Sequence, residues 1–459
     1  VSARRHPRKR ALIAAIQLDP AVIAAVQAHA AAHRLPEAAV WRTVRRYLHE
    51  IIPTFNPLVY RGVGHTAAAA LLRVLYRVTI IDRAPGAART LPPDAIVIYL
   101  MNHRSNADYV VASYALAGQV AISWAVGEWA RVFPLEYLFK SFGSYFIRRR
   151  YREPLYHTVL ERYVHRVTSA GVTQGLFPEG GLTRDGRLRP SKIGLLDYIV
   201  GAARDPALAS RMYVVPVGLN YDRVLEDRTL LRELRVTEGG VGSSRWSQVG
   251  EVVSYLASSF GRLSTGRWQR YGRAAVVLGA PVPVAAWIVS EAVLGGSSGD
   301  GSTGAAGAAS PEAVPVFDLP RADRLAAVQR LCDRMMGEVG QLVPVTAVPL
   351  VCAALQTFEA DYVSRPALLE RVEALRVALE EAGAVVVEPA LSAAESFERA
   401  YRLLRMRRVL SRAGEGYLIL PHGRELVSYY ANGIAHLCGE WEASVRSRDA
   451  LPVDQFFGR

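Results

Sequence analysis

An imidazole and a carboxylate stand five positions apart in Asn102-His103-Arg104-Ser105-Asn106-Ala107-Asp108-Tyr109, directly behind the apolar run 94–101 (DAIVIYLM). Ser105 or Asn106 can cap a helix opening here, which puts Asp108 in its first turn and His103 on the approach. A turn of that kind folds the carboxylate back onto one ring nitrogen. It fixes the tautomer and leaves the other nitrogen to take a proton, as general-base chemistry requires. The plainer alternative is a capped helix start beside a solvated His.

Three further segments carry the same kind of double reading. Residues 143–150 (GSYFIRRR) run from an apolar stretch into Arg148, Arg149 and Arg150, with Arg152 two residues on. Guanidinium groups there suit a phosphate held with direction, or a solvated basic helix start. Residues 175–186 (GLFPEGGLTRDG) place Glu179 in a glycine-rich loop beside Arg184. Such a loop brings backbone N–H groups close to a ligand, or it is simply a turn. Residues 214–220 (VVPVGLN) read as an apolar strand whose Val215 and Pro216 line an acyl pocket or fill core. No Ser or Cys sits in a nucleophile elbow, so direct transfer to an alcohol activated by a base is preferred over a covalent enzyme intermediate.

The elements that must position these residues alternate. Short β-like runs at 94–101, 120–125, 172–177, 212–219 and 274–278 are separated by helix-like stretches, including 109–116 and 155–169. That pattern predicts an α/β core with a mixed, largely parallel sheet and flanking helices. Residues 8–80 read as helical, broken at Asp19-Pro20 and Leu35-Pro36, and 321–338 and 366–382 are again helical in period. The division expected is a helical unit at 1–80, an α/β domain at 81–290, a Gly/Ser-rich linker or loop at 291–312, and a helical unit at 313–459.

In order, His-x-x-x-x-Asp, Gly-x-x-x-Ile-Arg-Arg, Phe-Pro-Glu-Gly-Gly and Val-Pro-Val resemble the four blocks of the glycerolipid acyltransferase superfamily. The flanking text, including 47–53 (YLHEIIP) and 190–194 (PSKIG), is most similar to bacterial glycerol-3-phosphate acyltransferases. The likeness covers about residues 40–285 and continues more loosely from Val343 through Leu426, Tyr430 and His436. It implies His103 as general base and Asp108 as its orienting partner. It also implies an acceptor site built from Arg104, Ser105, Arg148, Arg149, Glu179, Gly180, Gly181, Thr183, Arg184 and Lys192. Members often carry Arg directly after the Glu-Gly-x triplet; here that position is Leu182, and Arg184 takes over part of its work. The reaction implied moves a fatty-acyl group from acyl-CoA or acyl-carrier-protein to glycerol 3-phosphate, the first step of phospholipid synthesis. Lysophosphatidate or dihydroxyacetone phosphate are the alternative acceptors, and a non-catalytic anionic-lipid binder is the rival from another class.

Composition is compatible with this. The chain of 459 residues has 55 Lys and Arg against 42 Asp and Glu, a net charge of +13 that suits anionic partners. Three scattered cysteines make neither a disulfide framework nor a zinc cage and fit a reducing compartment. His29 and His33 have chelating spacing but no third ligand nearby, so no metal and no cofactor is expected. No secretory signal is read at the start. The uncharged runs 109–127, 274–290 and 340–358 are interrupted by polar residues or proline and predict buried core or membrane-surface segments rather than spans. The expected place is the cytoplasmic face of a membrane, as a peripheral or monotopic protein that binds no nucleic acid.

Overall fold

The computed structural model describes residues 7–56, 65–86, 91–116, 122–131, 135–148, 151–239, 270–295, 315–439 and 441. Its central sheet has eight strands: β1 (Arg77–Asp82), β2 (Ile96–Met101), β3 (Ser123–Gly127), β4 (Tyr145–Ile147), β5 (Gln174–Leu176), β6 (Met212–Tyr221), β7 (Arg273–Leu278) and β8 (Val282–Pro283). They run in the order β1-β7-β6-β2-β5-β3-β4, with β8 paired to β6. Strands β6, β2, β5, β3 and β4 are mutually parallel, and the parallel pair β1–β7 joins them antiparallel at β6. The fold is thus the mixed, mostly parallel α/β sheet that the pattern predicted.

Apolar residues on both faces of the sheet explain why helices cover both. Ile96, Ile98 and Leu100 of β2, with Met212 and Val214 of β6, pack with Ile16, Val26, Leu48, Val159 and Leu331 from helices on one side. The alternate residues Val97, Met101, Val215, Val217 and Leu219 join a second cluster on the other side. This period of two is what a strand buried on both faces must show.

The second cluster also contains Val351, Leu375, Phe397 and Val427, from the helices Ala347–Gln356, Arg365–Glu381, Ala393–Met406 and Gly423–Asn432. The C-terminal region therefore completes the core of the sheet rather than forming a core of its own. Among the described residues it is mainly helical, with one small sheet. Strands β9 (Tyr362–Ser364), β10 (Leu410–Ala413) and β11 (Gly416–Ile419) make a small antiparallel sheet in the order β10-β11-β9.

The expectation that 8–80 is all helix fails at its end, where β1 begins at Arg77. Its half-exposed alternation at the sheet margin gave no strong apolar run. The Gly/Ser-rich stretch after Gly295 lies outside the described residues up to position 314. Of the uncharged runs, 340–358 is largely buried and holds the helix Ala347–Gln356. Among the described residues no single helix is long and apolar enough to cross a membrane. The helices Lys9–Gln17 and Pro20–His33 pass the test only as a pair bent by 60°, and Ile16, Val22 and Val26 of that pair are buried against the protein.

Candidate active site

The His103 turn and the glycine-rich loop follow the carboxyl ends of the neighbouring parallel strands β2 and β5, which is where open α/β sheets keep ligand-binding residues, and Arg148 follows β4, while the block 214–220 lies within β6 itself. Asn102 makes the departure from β2 possible. Its side-chain amide donates to Leu219 O and accepts from Leu219 N, each at 2.8 Å, doing for β6 what one more strand residue would do. The main chain is thereby released to turn over the sheet and enter the helix Asp108–Leu116.

In that turn His103 Nδ1 lies 2.9 Å from Asp108 Oδ2, with the two residues 1 % and 0 % exposed. The backbone N–H groups of Arg104 and Ser105 also donate to Asp108 Oδ2, at 2.7 and 3.0 Å. Tyr221, the last residue of β6, donates its hydroxyl to Oδ1 at 2.5 Å. The carboxylate is fixed from four directions, and the imidazole it orients stacks on Phe177 with ring centres 4.0 Å apart.

The glycine-rich loop after β5 is knitted to this turn. Glu179 Oε1 accepts the backbone N–H of His103 at 3.0 Å, Oε2 accepts that of Arg189 at 3.2 Å, and Thr183 N donates to His103 O at 3.2 Å. Burial pushes the Glu179 carboxyl up to about 7. Glu226, which sequence reasoning passed over, accepts from Ser105 Oγ at 2.7 Å and from Asn106 N at 3.2 Å. Burial raises it to about 7 as well. Its only sequence signal is a carboxylate five residues beyond a strand end that faces the His103 turn.

The remaining residues expected at the acceptor site separate into two groups. Lys192 drapes over Gly180: a Cβ built there would lie 3.6 Å from its Nζ, and Gly180 itself has φ +69°. Arg184 is exposed and 3.3 Å from Glu233 Oε2. Both cations belong to the segment that follows β5, the neighbour of β2, and that segment meets the His103 turn through Glu179 and Thr183. Thr183 is buried and bonds within the loop, to Asp185 Oδ1 at 3.0 Å and from Gly186 N at 3.1 Å, so it shapes the turn. Ser105 is likewise engaged by Glu226.

Arg104 is turned into the interior. Its side chain is 3 % exposed and its two terminal nitrogens donate to Gly186 O and Gly433 O. A guanidinium committed to two carbonyls in the interior ties the glycine-rich loop to the segment that ends the helix Gly423–Asn432. Val215 and Pro216 are also interior. Val215 belongs to the core shared with the C-terminal helices, and Pro216 O accepts from Gly279 N at 2.9 Å. They fill core, the second of the two readings of that strand.

Arg148 follows β4, three ladders from β2 and so about 14 Å across the sheet at about 4.8 Å per ladder. Its Nε and a terminal nitrogen make a two-pronged bond to Glu50 at 2.9 and 2.7 Å, and Arg131 meets the same carboxylate at 2.7 Å. Burial favours protonating Glu50, but Arg148 and Arg131 more than reverse this and hold it below the usual range. Arg149 lies outside the described residues. Among the described residues no cluster of three or more His, Cys, Asp or Glu side chains is placed to hold a metal ion. His29 instead pairs with Glu153 at 3.2 Å and stacks on His33.

The sequence is similar to known proteins along most of its length. The sequence model of the Acyltransferase family matches residues 87–220, and that of the Glycerol-3-phosphate acyltransferase C-terminal region matches residues 258–439. The glycerol-3-phosphate acyltransferase of Pasteurella multocida (strain Pm70) is 24% identical over 94% of this chain and 50% of its own length. That of Pseudoalteromonas translucida (strain TAC 125) is 24% identical over the same shares. The enzyme of that name from Aeromonas hydrophila is 32% identical over 41% of this chain and 24% of its own. The chain thus spans about half the length of the long curated relatives it matches. Two adjoining family matches and relatives aligned across nearly the whole chain point the same way: the chain carries a region matching the Acyltransferase family followed by one matching the Glycerol-3-phosphate acyltransferase C-terminal region, and it is similar to bacterial glycerol-3-phosphate acyltransferases.

Proposed function

We propose that the chain is an O-acyltransferase that moves a fatty-acyl group from acyl-CoA or acyl-carrier-protein to the hydroxyl of glycerol 3-phosphate. The observation that carries the reading is the buried His103–Asp108 pair, 2.9 Å apart at the mouth of a cationic, glycine-rich loop. With Nδ1 protonated and bound to Asp108, Nε2 is the nitrogen that takes the hydroxyl proton as the oxygen attacks the thioester carbonyl. The oxyanion collapses and expels the thiolate, which recovers the proton. Lys192 and Arg184 hold the acceptor phosphate, and Arg148, oriented by Glu50, supports them from further along the sheet. The scheme uses only donor and acceptor, with no metal and no cofactor. The direct test is purified protein with an acyl thioester and a panel of glycerol 3-phosphate, dihydroxyacetone phosphate and lysophosphatidate. Thiol release that depends on glycerol 3-phosphate supports the proposal, and release with none of the three refutes it.

The same reading places the protein on the cytoplasmic face of a membrane, since the product is an amphiphile and the net charge is +13. Basic residues near an anionic surface contribute about 1 kcal/mol each and are screened by salt. Binding to liposomes should rise with anionic lipid and weaken in high salt. Retention through an alkaline carbonate wash of membranes would contradict peripheral docking.

A further inference from the structure

We propose that Tyr221 is a positioning residue for the His103–Asp108 pair, setting the basicity of the imidazole through the far oxygen of the carboxylate. This rests on the acyltransferase reading above for its effect on rate, but the geometry stands without it. The phenol donates to Asp108 Oδ1 at 2.5 Å, while Oδ2 takes the imidazole and two backbone N–H groups. Tyr221 is wholly buried. Its ring packs 5.5 Å from that of Tyr76, whose own hydroxyl is committed to Arg223 O at 2.7 Å, and Tyr271 closes the other side of Tyr76. The phenol therefore cannot swing away. Burial and the neighbouring Asp108 charge keep it protonated, hence a donor at every working pH.

A strong hydrogen bond to Oδ1 draws negative charge away from Oδ2 and so weakens the carboxylate's hold on an imidazolium. The effect is to keep His103 neutral, able to accept a proton, at lower pH than Asp108 alone would allow. Other charged or titratable groups around the pair are Glu179 on the backbone of His103, Glu226 on Ser105 and Asn106, Arg104 turned toward Gly186 and Gly433, Tyr109 edge-on to the imidazole, and the buried Tyr429, which feels the Asp108 charge. None of the bonds described for these groups reaches Asp108 Oδ1, so substitution at Tyr221 changes one contact of the carboxylate.

The test is Tyr221→Phe in the full chain, read by the pH profile of kcat/KM and by NMR titration of the His103 ring. Loss of the donor should move the acidic limb, and the ring titration with it, to higher pH by about half a unit or more. The KM for glycerol 3-phosphate should not change. 3-Fluorotyrosine placed at 221 keeps the ring and is a stronger donor, so it should shift both in the opposite direction. It also decides the matter if the Phe variant folds poorly. A His103 titration that is the same in all three proteins overturns the proposal. The titration needs no substrate. A wild-type chain without transferase activity would therefore sink the proposed function, while the three ring titrations would still separate or coincide.

Discussion

Replacing Arg104 with Met separates an internal tie from a substrate contact. The substitution keeps length and apolar bulk but removes both donors to Gly186 O and Gly433 O. Each buried carbonyl left without a partner costs about 1–3 kcal/mol, so the pair costs about 2–6 kcal/mol. Burial already lowers the Arg104 pKa, which reports an unfavourable desolvated charge whose removal offsets part of that loss. The net expectation is about 2–4 kcal/mol of local destabilisation, about 30- to 1000-fold faster amide exchange when opening is local. Hydrogen exchange should show it in peptides covering 183–188 and 430–437, with smaller changes in β1 and β7. The kcat should fall, because the loop that holds the His103 backbone loosens. Normal exchange combined with a tenfold rise in the KM for glycerol 3-phosphate would show that the guanidinium serves the substrate, and the internal assignment would fail.

Other outcomes follow from the site. His103→Ala should lower kcat by about 10²- to 10⁴-fold with the fold intact, and Asp108→Asn nearly as much through the tautomer; a near-normal rate in the folded His103 variant removes the base from the mechanism. Lys192→Ala should raise the acceptor KM more than Arg148→Ala, because the loop after β5 adjoins His103 while Arg148 lies three strands away and is paired with Glu50; steady-state kinetics with both substrates varied decides the order. Glu179 and Glu226 have folded values raised to about 7 by burial. Their stabilisation is therefore fully present below the unfolded carboxylate range and lost as pH rises through about 7. Glu226→Gln should flatten the fall in melting temperature between about pH 4.5 and 7, and an unchanged slope would argue against the raised value.

Part of this site was readable from residues alone because the His103 and Glu179 blocks each couple a strand-like run to a polar turn, and parallel neighbouring strands deliver such turns to the same end of the sheet. The His103–Asp108 contact, the glycine-rich loop, β2, β5, β6 and β7 were accessible in that way. What stayed hidden depends on long-range pairing. Tyr221 reads as one more strand residue until its hydroxyl is seen on Asp108. Glu226 and Glu50 gain meaning only from partners more than 90 positions away. The partners of Arg104 were hidden because the sequence places it beside His103 but says nothing of Gly433. The strands β1, β4 and β9–β11 are short, marginal or embedded in charged text, so their apolar period is too brief to register.

The tie between Arg104 and Gly433 spans 329 positions of chain. At about 5–20 residues per second, the ribosome makes the two partners roughly 15–65 s apart. For that interval β2 and the His103 turn exist without the carbonyl that anchors them, and the apolar face that Val351, Leu375, Phe397 and Val427 will cover is open. The nascent protein is therefore born with its chemistry unset and its stickiest surface showing. The His103 turn is completed late in synthesis, and holdase chaperones have their opportunity before it.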